Sequence, residues 1–283
     1  MNTFLVTGAS GFLGEAVARR LEADGRVVRS GFQHAGTPLD LRQPDAVRAL
    51  LDAARPDVVV HAAAYRDPDF CETHPDEARR LNTKPVRVMA AALPPAARLV
   101  LVSTDYVFDG ESPPYREEDE RRPLSVYGQS KAEAEDLALA RPGSLVVRIP
   151  ILIGLEPAHR GQAGFLFQMA QQILDPRPAE VDDVLIRVPT WADDVAEAIA
   201  FLVARQAAGI FHVSAARGAT RYQWTQELAR VLGRPADHLS PCRTPARRPA
   251  RRPLDSQLSA EKLRLAGFDR FTDFAEVARR VVL

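Results

Sequence analysis

Tyr127 and Lys131 stand four residues apart in the run Tyr-Gly-Gln-Ser-Lys. On a helix that spacing puts both side chains on one face. A phenol is a weak acid, with a reference pKa of about 10. A fixed ammonium nearby, joined by an oxidised nicotinamide ring, favours the phenolate and lowers that value. Such a tyrosine gives a proton to a carbonyl oxygen as hydride arrives, or takes one from an alcohol in reverse. The lysine can also hold ribose hydroxyls. The chain has only three lysines (Lys84, Lys131, Lys262) and five tyrosines, so this pairing stands out from chance. Upstream, Ser103-Thr104-Asp105-Tyr106 closes an apolar run. A hydroxyl at a strand end can donate to a substrate carbonyl and bind its developing oxyanion. Thr104, just past the strand, is the better placed of the two.

The elements that must position these groups alternate in type. Thr3–Thr7, Arg26–Gly31, Asp57–His61, Arg98–Ser103 and Ser144–Ile149 read as short β-branched strands. Between them, Gly11–Ala23, Pro44–Ala54, Pro75–Leu93 and Ser125–Ala140 read as helices. Strand–helix alternation predicts an α/β fold, a Rossmann-type doubly wound parallel sheet, here with a smaller C-terminal substrate lobe. The expected division is 1–150 as the NAD(P)-binding domain, with return segments in 184–214. The substrate lobe then takes 151–183 and 215–283. Leu185–Pro189, Ala192–Ala204 and Ile210–Ser214 look like that return to the sheet, whereas Arg221–Leu232 and Ser259–Ala266 read as lobe helices. Pro241–Pro253, dense in proline and arginine, cannot be regular helix.

The first strand–helix junction, TGASGFLG, carries Gly8, Gly11 and Gly14. Glycines there allow a tight turn and close approach to a pyrophosphate, and the helix offers free N–H groups to its oxygens. Gly8, Ser10, Gly11, Phe12, Leu13 and Gly14 are therefore the dinucleotide-binding candidates. The second strand ends in Arg29-Ser30-Gly31-Phe32-Gln33-His34, with no acid to repel a 2′-phosphate. That absence, with Arg29 and His34 nearby, favours NADP and keeps NAD as the alternative. Asp40-Leu41 follows, where a carboxylate could receive the adenine amino group or equally cap a turn. His61 reads as a hydrogen-bonded strand-end histidine. Ala62, Ala63 and Ala64 after it are small enough to lie against a cofactor.

Composition excludes several classes. Lysine plus arginine (37) balances aspartate plus glutamate (37), so no net field favours nucleic acid or an anionic membrane. No apolar run is long enough to span a bilayer, and the N-terminus lacks a signal-peptide pattern. Cys71 and Cys242 read as free thiols of a reducing cytoplasm. The scattered histidines give no metal site.

Together these motifs resemble the extended short-chain dehydrogenase/reductase superfamily, and within it the dTDP-4-dehydrorhamnose reductase group. The resemblance runs from TGASGFLG through RPDVVVHAAA, RRLNT, STDYVFDG, YGQSK, VRIPILIG and VPTWADDVA to RRPLDSQLSAEKL. It implies Thr104, Tyr127 and Lys131 as a catalytic triad, Asn82 as a structural or relay residue, and Asp105 and Tyr106 near substrate. The implied reaction is NADPH-dependent reduction of a nucleotide-linked 4-keto-6-deoxy sugar in dTDP-rhamnose biosynthesis. It would take place in the cytoplasm, without nucleic-acid or membrane partners, with a homodimer left open. Ile151 stands where the sugar reductases typically carry a tryptophan that packs on the sugar ring. Tyr106 stands where the 4,6-dehydratases need an acid, so dehydration is not expected. Arg252 is the first choice for the nucleotide diphosphate, ahead of Arg247, Arg248 and Arg251, and Trp191 is expected in the core. The chain is similar also to the regulatory beta subunit of methionine adenosyltransferase, through SGFQHAG, DYVFDGESPPYREED and VRIPILIG. That likeness implies a non-catalytic NADP-binding alternative; a nucleotide-sugar epimerase is a third reading.

Overall fold

A computed structural model describes residues 2–32, 36–155, 164–244 and 246–282. Seven parallel strands form its central sheet. From one edge to the other they run Gly209–His212, Leu145–Ile149, Arg98–Thr104, Val58–His61, Asn2–Thr7, Gly25–Gly31 and Thr37–Pro38. Strand order reverses direction between Asn2–Thr7 and Val58–His61, which opens a crevice at their carboxyl ends. The central strands are buried on both faces, which explains why they read as nearly continuous apolar runs.

Alternate residues feed two separate cores, as the period of a strand requires. Phe4 and Val6 pack with Val17, Val147 and Ile199 on one face. Leu5 packs with Val59, Leu101, Met89 and Val146 on the other. The first face is covered by the helices Phe12–Leu21 and Ala192–Ala204, cross-linked at their exposed rims by Arg19–Asp193 and Arg20–Glu197 ion pairs. Pro44–Ala54, Lys84–Ala92 and Val126–Leu139 lie together against the second.

Three expectations change. The helix expected over Pro75–Leu93 is two, Pro75–Asn82 and Lys84–Ala92, because Pro85 has no N–H to continue the ladder through Thr83. Of the segments expected to return to the sheet, only Gly209–His212 adds a strand to it. Ile186–Arg187 instead pairs antiparallel with Ala219–Thr220, outside the sheet. The helices Pro68–Thr73, Phe165–Leu174 and Phe274–Val282 carry no advance signal strong enough to be read. Phe165–Leu174 and Phe274–Val282 join Arg221–Leu232 around a third apolar cluster of Met169, Trp224, Leu228 and Val277.

Candidate active site

The glycine turn lies at the crevice. Gly8 adopts φ +73°, and a Cβ there would stand 2.7 Å from the Ala63 nitrogen and 2.8 Å from its Cα. A Cβ on Gly14 would come within 2.1 Å of the Gly8 carbonyl oxygen. The first glycine thus lets the turn press on the Ala62–Ala63 backbone, and the third lets the helix begin beneath the turn. Gly11 donates its N–H to the Gly8 carbonyl at 2.8 Å. No side chain caps the helix that follows, so its positive end is open to an anion. Ser10 and Phe12 flank the turn half-buried, whereas the Leu13 side chain belongs to the core, leaving only its backbone for a ligand. Ala62, Ala63 and Ala64 are all half-buried beside the turn.

The adenosine end differs from expectation. Arg29 is not a free cation: it pairs with Glu15 at 2.7 Å and Glu22 at 2.9 Å, carboxylates of the first helix and its C-cap. His34 lies outside the described residues. Asp40 caps a turn, accepting from the Arg42 N–H at 3.0 Å and the Arg42 guanidinium at 2.8 and 3.0 Å, and an acceptor site remains for an adenine amino group. Arg42 holds that carboxyl below its ordinary range. Leu41 is buried in the core.

The catalytic candidates come together on two elements. Thr104 ends the strand Arg98–Thr104, and Asp105–Val107 turns away from it as a single 3₁₀ turn. Tyr127 and Lys131 lie on Val126–Leu139, capped by Ser125, whose hydroxyl accepts from the Gly128 N–H at 3.3 Å. Lys131 is 3% exposed and donates from Nζ to the Val102 carbonyl at 2.8 Å. Burial lowers its pKa to about 8, with Glu135 one turn on resisting the drop. The Tyr127 phenol is shifted upward, not downward: burial dominates, the neighbouring Asp105 adds to it, and Thr104 works the other way. Burial outweighs the help expected from the Lys131 ammonium, which is turned to the Val102 carbonyl. A phenol kept protonated is nevertheless the form a proton donor requires. Tyr106 meets the Tyr127 ring edge-on at 5.8 Å, and its hydroxyl accepts from Arg187 at 3.3 Å.

Neighbouring polar groups hold this pair in place. Asn82 accepts from the Tyr65 N–H at 2.8 Å and donates to the Tyr65 carbonyl and the Ser130 hydroxyl, both at 3.0 Å. It thereby pins the stretch after the alanines to the catalytic helix. Behind Lys131, Glu135 receives a bidentate Arg148 at 2.8 and 3.0 Å and the Ser103 hydroxyl at 2.5 Å, all buried. His61 is fully buried and bonds Thr7 through Nδ1 at 2.6 Å, as a strand-end histidine should. Burial lowers its pKa to about 3, so the ring is neutral.

Of the substrate candidates, Asp105 and Tyr106 adjoin Tyr127. Ile151 is half-buried beyond the strand Leu145–Ile149, its carbonyl accepting from Thr190. The Arg252 fork is already occupied, bonded by Asp69 at 2.8 and 3.0 Å. Arg247, Arg248 and Arg251 are exposed. Trp191 is half-buried against the third apolar cluster, under the Arg280 guanidinium at 4.9 Å. Sequence reasoning missed Asp69, Arg187 and Ser256, which reach the site from far along the chain. It also missed Glu135, although its spacing of four from Lys131 was legible.

Among the described residues no group of His, Cys, Asp and Glu could hold a metal, and no helix is long and apolar enough to cross a membrane. The chain is 36% identical over 275 residues to methionine adenosyltransferase 2 subunit beta of Danio rerio, covering 93% of this chain and 84% of that one. It is 37% identical over 247 residues to the "Probable dTDP-4,6-dihydroxy-2-methyloxan-3-one 4-ketoreductase" of Streptomyces antibioticus, covering 84% and 80%. A solved dTDP-4-dehydrorhamnose reductase from Bacillus anthracis str. Ames, in complex with NADP, superposes with a TM-score of 0.88. That match has 26% identity and covers 99% of this chain and 96% of the other. The glycine turn at the sheet's crevice and the Thr104–Tyr127–Lys131 grouping thus occur in a chain matched by one family over residues 1–282: this protein belongs to the RmlD substrate binding domain family.

Proposed function

We propose that the protein is an NADPH-dependent reductase of a nucleotide-linked 4-keto-6-deoxy sugar. The observation that carries this reading is the convergence of Tyr127, Lys131 and Thr104 at the strand ends, beside an uncapped helix and a glycine turn. The turn fits a dinucleotide: Gly8 and Gly14 leave no room for side chains, and the helix end offers N–H groups to a pyrophosphate. The NADP complex of the Bacillus anthracis relative and the acid-free end of the second strand support NADPH over NADH. With Arg29 already paired, selectivity for a 2′-phosphate rests on the missing acid rather than on that cation.

A nicotinamide cofactor bound at the glycine turn would supply the hydride to the keto carbon. Tyr127 gives its phenolic proton to the carbonyl oxygen, so the product is an alcohol and the phenolate is reprotonated from solvent. Thr104 orients that oxygen. Lys131 turns from the Val102 carbonyl to the ribose and steadies the phenolate once it forms. Arg252 meets the nucleotide diphosphate by exchanging Asp69 for phosphate oxygens.

The test is loss of NADPH absorbance with dTDP-4-dehydrorhamnose and purified protein. Turnover that Tyr127→Phe abolishes supports the assignment; a Tyr127→Phe variant with full activity removes Tyr127 as donor. A second reading has its own observation, the 36% identity to methionine adenosyltransferase 2 subunit beta. On that reading the protein binds NADP and serves a partner enzyme without turning over a sugar. Tight NADPH binding with no turnover would select it.

A further inference from the structure

Asp105 is a buried carboxyl. It is 4% exposed, and among the described residues no cation lies within salt-bridge distance. Arg187 faces it, but that guanidinium donates to the carbonyls of Ile186 and Pro253 and to the Tyr106 hydroxyl. The other titratable groups around it are Tyr127 on the catalytic helix and Tyr106 on its own turn. Its side-chain partners among the described residues are hydroxyls, Thr104 at Oδ1, 3.0 Å, and Ser256 at Oδ2, 2.5 Å, and its own backbone N–H also faces it. Taking an unpaired carboxylate out of water is costly, and such a group takes up a proton instead. Burial accordingly pushes the Asp105 carboxyl up from its ordinary value.

Where the proton sits decides which way a chain of hydroxyls points. Thr104 has one hydrogen and two lone pairs, and the Tyr106 N–H at 3.2 Å fills one of them. If Asp105 is ionised, the single Thr104 hydrogen goes to Oδ1. The remaining lone pair of Thr104 then draws the Tyr127 phenolic proton, away from substrate. If Asp105 is neutral and Ser256 donates to Oδ2, the acid proton lies on Oδ1 and fills that second lone pair. The Thr104 hydrogen is then free to point into the site, and the Tyr127 proton stays available.

We propose that Asp105 is a positioning residue that works as a neutral acid, with Ser256 fixing its proton on the oxygen that faces Thr104. Ser256 comes from the C-terminal segment, 151 residues away in sequence. That segment therefore does more than line the cleft: it sets the donor direction of the catalytic hydroxyls. The kinetic arm of this proposal rests on the reductase reading, and the spectroscopic arm does not.

The experiment is infrared difference spectroscopy of the full-length protein near neutral pH, wild type minus Asp105→Asn. A protonated carboxylic-acid carbonyl band lost in the variant is the expected result. That band should lose intensity as pH rises and should shift in Ser256→Ala, where Oδ2 loses its donor. A difference spectrum showing only carboxylate bands overturns the proposal, whether or not the protein turns over a sugar. In the reductase assay an amide can copy the neutral acid, accepting from Ser256 and donating to Thr104. Asp105→Asn should then keep a kcat about tenfold above that of Asp105→Ala, the effect of one well-placed hydrogen bond. Ser256→Thr should restore most of the kcat lost in Ser256→Ala. Equal losses in Asp105→Asn and Asp105→Ala would overturn the positioning role.

Discussion

The two sides of the cleft handle charge in opposite ways. On the sheet side, Thr104, Asp105, Tyr127 and Lys131 are removed from water, and burial shifts each ionisable group among them toward its neutral form. On the C-terminal side, Arg252 keeps its charge by pairing with Asp69, and the exposed Arg248 stands 3.9 Å from the same carboxylate. The first arrangement suits proton transfer, where a group must be poised between two states. The second suits anion capture by exchange, where a cation is held ready on a carboxylate that an arriving anion can replace. A ligand reaching both would meet a dry end and a charged end.

The largest effect should come from the dry end. Tyr127→Phe should lower kcat by about 10² to 10⁴ while NADPH affinity, read by fluorescence titration, stays within about twofold. Full activity in this variant would mean that burial there serves packing alone. The network behind the lysine is the next test. Glu135→Ala leaves Arg148, 1% exposed, without its partner and should cost about 3–5 kcal/mol in urea unfolding. A cost near zero would show that water reaches this network.

Acidity separates the two sides further. On the proposed reading the Lys131 ammonium is the form that binds ribose, and it is lost as pH rises through about 8. If the protein is a reductase, its kcat/KM should therefore fall by about tenfold per unit above that point. No such fall should appear in the pH dependence of Arg252→Ala beyond the one wild type shows. Arg252→Ala itself should raise the KM for the nucleotide sugar by about tenfold with a smaller change in kcat, as loss of a charge-assisted contact does. The smallest effect, and the most diagnostic, is Asp69→Asn. Releasing the Arg252 fork should lower that KM by about threefold; an increase would mean that Asp69 aims the arginine rather than competing with substrate.

Legibility in the sequence followed the range of the interactions. The strands read in the first 150 residues, the glycine turn and the Tyr127–Lys131 face depend on neighbours within a few residues, and each stands where its spacing placed it. Asp40 shows the limit of that reasoning, since its position alone does not announce that Arg42 holds it. Arg29 failed for a related reason. Two glutamates on the preceding helix and its end face it, and nothing in the strand's own residues announces them. Asp69 with Arg252 and Asp105 with Ser256 are pairs from distant parts of the chain, brought together only by the path of the C-terminal segment. The three helices missed are short or sit where alternation had already loosened, so no repeated pattern marked them.

The helix Pro68–Thr73 is only six residues long, yet two of its carboxylates face different parts of the site. Asp69 takes the Arg252 guanidinium and the Ala250 N–H at 3.1 Å. Glu72 accepts from the N–H of Val126 at 2.9 Å, one residue ahead of Tyr127. One short helix therefore holds both Arg252 and the first residue of the helix that carries Tyr127. On the proposed reading, a diphosphate that drew Arg252 away from Asp69 would load the same six-residue helix that accepts the Val126 N–H. A loop of equal length grafted in its place could carry the same two acids and still lose that mechanical link.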